Sequence, residues 1–180
     1  RSCAVFILCY LSFGIYQNQA ARHLQERLAQ SRGHLIERGR VKPSFGNNIL
    51  FRSYYQYNQY YYVDAIRLPW WGEPKIYEGS RVRLLELPQF LKTYELSETQ
   101  ARDIVRFANF SAGDLIEHPH HPQVVGDLRY ALLPNSIAPL WGVEWSLVPT
   151  SAHTPFLNFR DVSESMRKQY WKMIVGEELY

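Results

Sequence analysis

The stretch Glu117-His118-Pro119-His120-His121-Pro122 gathers three imidazoles and a carboxylate, ligand types that zinc takes readily. Its spacing argues against a metal. It is neither a histidine pair one helical turn apart nor a cysteine-bearing finger, and its two prolines impose an extended or turning backbone. Adjacent side chains of an extended chain point apart, so His120 and His121 do not converge on one ion. The stretch reads as a polar surface loop, and no metal ligand is assigned in this chain.

The run Gly126-Asp127-Leu128-Arg129-Tyr130 is a second constellation. In a strand, Asp127 and Arg129 share a face two residues apart. A carboxylate beside a guanidinium can hold a polar ligand, or the two can pair with each other and orient the sheet. Asp64 and Arg67 raise the same alternatives, and Lys42 and Arg52 add positive charge nearby in sequence. Lys42, Arg52, Asp64, Arg67, Asp127 and Arg129 are therefore the candidate substrate-binding residues. A binding role requires that all six line one concavity. Catalytic residues stay unassigned: there is no phosphate-binding glycine loop, nucleophile elbow or zincin helix, and His153 and the serines lack triad spacing.

Strands must present most of these groups. Residues 49–55 and 60–68 are rich in aromatic and branched side chains and read as two strands joined by a turn at 56–59. Both faces of the second are mixed, so the sheet is expected to pack on both sides. Residues 41–44, with Pro43, read as a linker. Residues 75–85 read as a strand interrupted at Glu78-Gly79, and 124–133 and 141–148 as further strands split by Pro134 and Pro139. A short helical stretch is expected over 88–94. Ser97 with Gln100 is a capping box opening a helix to about Asn109. Asp161 with Glu164 opens a last helix whose buried face is Met166, Tyr170, Met173 and Ile174. The expected fold is α+β: an antiparallel sheet flanked by a long N-terminal helix, a middle helix and a C-terminal helix.

Composition narrows the class. With 46% hydrophobic and 21% charged residues the chain is globular, and a formal charge of +3 is too small to point to nucleic acid. Its two cysteines, Cys3 and Cys9, both lie in one helical run and the rest of the chain has none, which argues against a disulfide-stapled fold, and six residues apart they do not share a face, which argues against a local bridge. The run itself is unusual. Residues 4–16 carry no charge and are apolar all round rather than along one stripe. At 1.5 Å per residue they span roughly 20 Å of a hydrocarbon core about 30 Å thick. Arg22, Arg27, Arg32, Arg38 and Arg40 follow, against Glu26 and Glu37, the bias expected on the cytoplasmic side of a membrane. One long helix is expected, its first half against lipid or another apolar surface, its second half, with Ala20, Ala21, Leu24 and Leu28, on the domain.

Several separated segments also resemble a known family. Lys42-Pro43-Ser44, Gly46-Asn47 and Phe51-Arg52, then Tyr62-Val63-Asp64-Ala65 with Arg67, then Gly126-Asp127, Arg129-Tyr130 and Pro134 are similar to the C-terminal extramembrane region of the bacterial inner-membrane proteins labelled membrane-bound metal-dependent hydrolases. Phe51 stands where tryptophan is common. The resemblance implies that transmembrane helices precede the domain, that residues 1–19 are the end of the last of them, and that residues 20–180 form one soluble domain. It implies a divalent metal in the full-length protein, held by histidines and acidic residues of the membrane portion, with none expected in this chain. The expected function is to support or cap that site from the cytoplasmic side of the inner membrane. The alternative is a non-catalytic binding or regulatory module, with Trp70 and Trp71 as its contact patch. The membrane, through the N-terminal helix, is the expected partner, together with a second copy of the chain through the same apolar helix.

Overall fold

The computed structural model describes residues 2–160 and 162–179. Helix α1 (Ser2–Ser31) leads into strands β1 (Arg38–Pro43), β2 (Leu50–Tyr57), β3 (Tyr60–Arg67) and β4 (Lys75–Arg83). Helices α2 (Leu87–Thr93) and α3 (Glu98–Phe110) follow, then β5 (Leu115–His118), β6 (His121–Asp127), β7 (Trp141–Glu144), β8 (Phe156–Asn158) and α4 (Glu164–Val175). The fold is α+β, and the strands form two antiparallel sheets, β1-β2-β3-β4 and β5-β6-β7-β8, rather than one.

The first sheet is built on the β2–β3 hairpin. Its turn is two residues, Asn58 and Gln59, both with positive φ (47° and 64°). That geometry matches the right-handed strand twist, so pairing runs on to Tyr57 opposite Tyr60 and the turn is tighter than a four-residue one. Both faces are covered. Phe51 and Ile66 pack on Ala21 of α1, and Ser53 accepts a hydrogen bond from Gln25. On the other face Tyr54, Tyr61 and Val63 pack on Ile116 and Leu128, and Leu50, Ala65 and Tyr77 pack on Met173 of α4. A second core joins α2 and α3 to the second sheet through Phe90, Ile104, Phe107, Leu115, Val125 and Trp145.

Several expected boundaries shift. Residues 41–44 are not a linker, since β1 pairs with β2 along its whole length. Pro43 ends an edge strand, where its missing N–H costs no ladder bond. Strand β4 runs through Glu78-Gly79, and its irregularity is a register shift opposite Tyr62/Asp64. The histidine stretch is no loose loop: it is the tip of the β5–β6 hairpin. Strand β6 stops at Asp127 because the Asp127 carboxylate accepts the Arg129 backbone N–H at 3.0 Å, an Asx turn that closes the chain on itself. Strand β7 is four residues long, and β8 carries no sequence signal. The Ser97 capping box forms as read. Asp161 lies outside the described residues, and Ser163 is the cap that accepts the Met166 N–H.

Helix α1 divides in two. From Gln17 to Ala29 it is seated on the first sheet, with Gln17, Ala21, Gln25 and Ala29 buried. Residues 3–12 are exposed throughout. Among the described residues no helix is long and apolar enough to cross a membrane.

Candidate functional site

The six candidate residues sit on strands and turns, but they do not all converge: Lys42, Arg52, Asp127 and Arg129 lie within electrostatic reach of one another, and Asp64 does not join them. Asp64 opposes Ser53 in the β2–β3 ladder and lies on the α1 face of the first sheet. Lys42 opposes Arg52 in the β1–β2 ladder, and Arg52 reaches the loop after β6 on the opposite face. The sheet itself separates Asp64 from the others. Among the described residues, none of the six lines any of four surface cavities of about 760, 740, 380 and 330 Å³.

Each is engaged within the fold. Buried Asp64 forms a two-pronged pair with Arg32 (2.7 and 2.9 Å) and accepts the Gly79 N–H at 3.2 Å. The bond to Asp64 raises the Arg32 pKa above the usual guanidinium value. Arg67 donates to the Ile174 carbonyl at 2.7 Å and sits under the left-handed cap Gly176, binding α4 through one of its orphan carbonyls. Arg52 is buried and donates to the carbonyls of Pro134, Ser136 and Leu128 at 2.7–2.9 Å. Burial lowers its pKa to about 10, so it stays charged near neutrality and organises the loop after β6. Arg129 pairs with Asp127 (2.8 Å) and donates to the Phe110 carbonyl (2.6 Å), while the Trp141 indole N–H donates to Asp127 at 3.1 Å. Of the alternatives for Asp127 and Arg129, the geometry is that of the ion pair. Lys42 lies 4.6 Å above the Tyr130 ring, its pKa lowered by burial and then by Arg129 and Arg40.

The strongest electrostatic constellation escaped sequence reading. Asp114 is fully buried between the sheets, accepts hydrogen bonds from the Tyr54 and Tyr61 hydroxyls (3.0 and 3.2 Å) and forms ion pairs with Arg38 (3.2 Å) and Arg40 (3.0 Å). Burial and the Asp114 charge both push the two phenols up. Arg38, Arg40 and Lys42 alternate along β1, so one face of that edge strand is basic. That alternation is a strand signal in the sequence, which Pro43 masks as a break. Nothing in the sequence around Asp114 names its partners, which lie 53 to 76 positions away.

The histidines cluster without forming a metal centre. His118 is buried, with its ring 4.3 Å from Phe159 and 4.6 Å from His121 between centroids. Its Nδ1 accepts the His120 backbone N–H, so Nε2 carries the proton. Burial, with His121 and His120 adding, lowers its pKa to about 4. Among the described residues no group of three or more His, Cys, Asp or Glu side chains is placed to hold a metal. Chemically, then, these acids and bases are consumed in joining elements; none presents an open carboxylate to a substrate.

No family model, no curated protein and no solved structure matches the chain.

Proposed function

We propose that this chain is the extramembrane support domain of a membrane-bound protein of the metal-dependent hydrolase kind, and that it carries no catalytic group of its own. The first half of α1 carries the reading. Val5, Phe6, Ile7 and Leu8 are successive and all exposed, so one full turn is apolar on every side, and Leu11, Ile15 and Tyr16 continue it. Such a turn calls for an apolar medium around it rather than a groove along one face. The arginines behind it suit the cytoplasmic side of the inner membrane.

The hydrolase assignment rests on the resemblance of the Lys42–Arg52, Tyr62–Arg67 and Gly126–Pro134 segments. The engagement of Arg52, Asp64, Arg67, Asp127 and Arg129 inside the fold favours a bracing role for them over substrate contact. In this reading the divalent metal and its ligands belong to the membrane portion, and the domain caps or steadies it.

The test is flotation with vesicles of phosphatidylcholine and phosphatidylglycerol. The full chain is expected to float with lipid. A chain lacking residues 2–16 is expected to stay in the aqueous fraction, with unchanged circular dichroism and one cooperative melt. A full chain that remains monomeric and aqueous would overturn the proposal, as would loss of the fold on truncation.

A further inference from the structure

Two loops flank α1 where it leaves the domain. The β1–β2 loop (residues 44–49) and the β3–β4 loop (68–74) lie at the same end of the first sheet. The Gln17 amide binds both, donating to the Asn48 carbonyl at 3.3 Å and to the Leu68 carbonyl at 3.1 Å. One turn earlier Gly14 faces the Asn48 side chain, where a Cβ would make ordinary contact at 3.6 Å. Phe13 meets Trp70 edge-on with centroids 5.9 Å apart, and Trp70 meets Trp71 at 6.0 Å.

From this level three large aromatic side chains point into solvent: Phe45 is 99% exposed, Trp71 85% and Trp70 61%. Phe45 is held there by a built loop. Asn47 accepts the N–H groups of Ile49 and Leu50 at 3.0 and 2.7 Å, and the Tyr170 hydroxyl of α4 donates to the Phe45 carbonyl at 3.0 Å. Water is a costly surrounding for three such side chains at one end of the sheet.

We propose that Phe45, Trp70 and Trp71 form an aromatic collar around the exit of α1 that seats in the headgroup region of an anionic bilayer and sets how the domain stands on the membrane. This rests on the reading of α1 given above and adds the surface that meets the lipid. The occupant follows from three observations. The helix inside the collar is apolar all round, which lipid covers and a single protein groove does not. Indole rings favour the membrane–water border, where one end is apolar and the N–H is wet. Charge changes past the collar: residues 2–21 contain no Asp, Glu, Lys or Arg, and the exposed Arg22 and Arg27 then follow on α1 itself, against Glu26. A positive layer behind an aromatic one complements anionic headgroups.

The experiment uses the full chain with the same vesicles, in which part of the lipid carries bromine either near the headgroup end of the acyl chain or at mid-chain. Shallow bromine is expected to quench tryptophan emission more than deep bromine. The Trp70→Phe/Trp71→Phe variant is expected to float but to lose most of that quenching. A Phe45→Ser/Trp70→Ala/Trp71→Ala variant is expected to bind vesicles about tenfold more weakly, with its melting in water unchanged. If the chain floats and the double variant is quenched as strongly as the parent, the collar is wrong and the α1 reading stands. Stronger quenching by deep bromine also overturns the headgroup placement. Should the chain fail to float and sediment as a dimer whose emission depends on Trp70 and Trp71, the collar meets a second copy instead, and both readings fall. A chain that neither floats nor dimerises overturns both as well.

Discussion

Asp114 shows how one side chain can join distant strands. Its carboxylate gathers two guanidinium groups from β1 and two phenols from β2 and β3 onto the start of the second sheet. Such a buried charge is tolerable only because two phenols donate to it and two cations pair with it. Asp114→Asn removes the charge and presents N–H groups to donors. Arg38 and Arg40 are about one-third exposed and can rehydrate, which limits the loss to about 2 kcal/mol in urea unfolding. An unchanged midpoint would mean that the Asp114 charge contributes nothing to joining the sheets. His118 offers a test of opposite charge. Its pKa is near 6.5 unfolded and about 4 folded, so between those values the unfolded chain binds the extra proton. Its stabilising effect is present above pH 6.5 and is lost as pH falls toward 4. Urea midpoints at about pH 7.5 and about pH 5 should fall with acid in the parent and fall less in His118→Leu; equal slopes would count against this role.

At the scale of elements, the helices and hairpins follow local rules and the sheet edges follow tertiary ones. The Ser97 box and the Asn58-Gln59 turn are local, because caps and turns are decided within four residues. Strand β4 is different. Gly79 donates its N–H to Asp64, and a Cβ there would overlap the backbone oxygens of Val63 and Asn135. A close approach of three backbones, from β3, β4 and the loop after β6, therefore requires glycine at this position. Gly79→Ala is expected to lower stability by about 1–3 kcal/mol, through displaced backbone that cannot turn aside as a side chain would. Wild-type stability in that variant would show that the loop after β6 moves freely. The same Gly79, read in sequence, signals only a break in a strand, since its neighbours are remote.

Over the whole molecule, one long helix serves two environments. Its second half is clamped by Gln17 and Gln25 amides and by Ala21 and Ala29 against the sheet, while its first half leaves the domain through the proposed collar. The core clusters draw on α1 only from Ala20 onward, which is why truncation before Gln17 is expected to spare the cooperative fold. The sequence by itself determined the elements whose signals are local: the charge-free run and its arginine border, the aromatic hairpin, the capped middle helix, the last helix and the α+β class. The tertiary structure alone decided that the strands divide into two sheets, that Asp64 is walled off from Arg52 and Lys42, and that Asp114 is the shared carboxylate. It also placed the loops that carry Phe45 and Trp70-Trp71 at one end of the first sheet. The reason is physical: periodicity and capping act over a few residues, whereas which acid meets which base is set by the stacking of faces whose partners lie tens of residues apart.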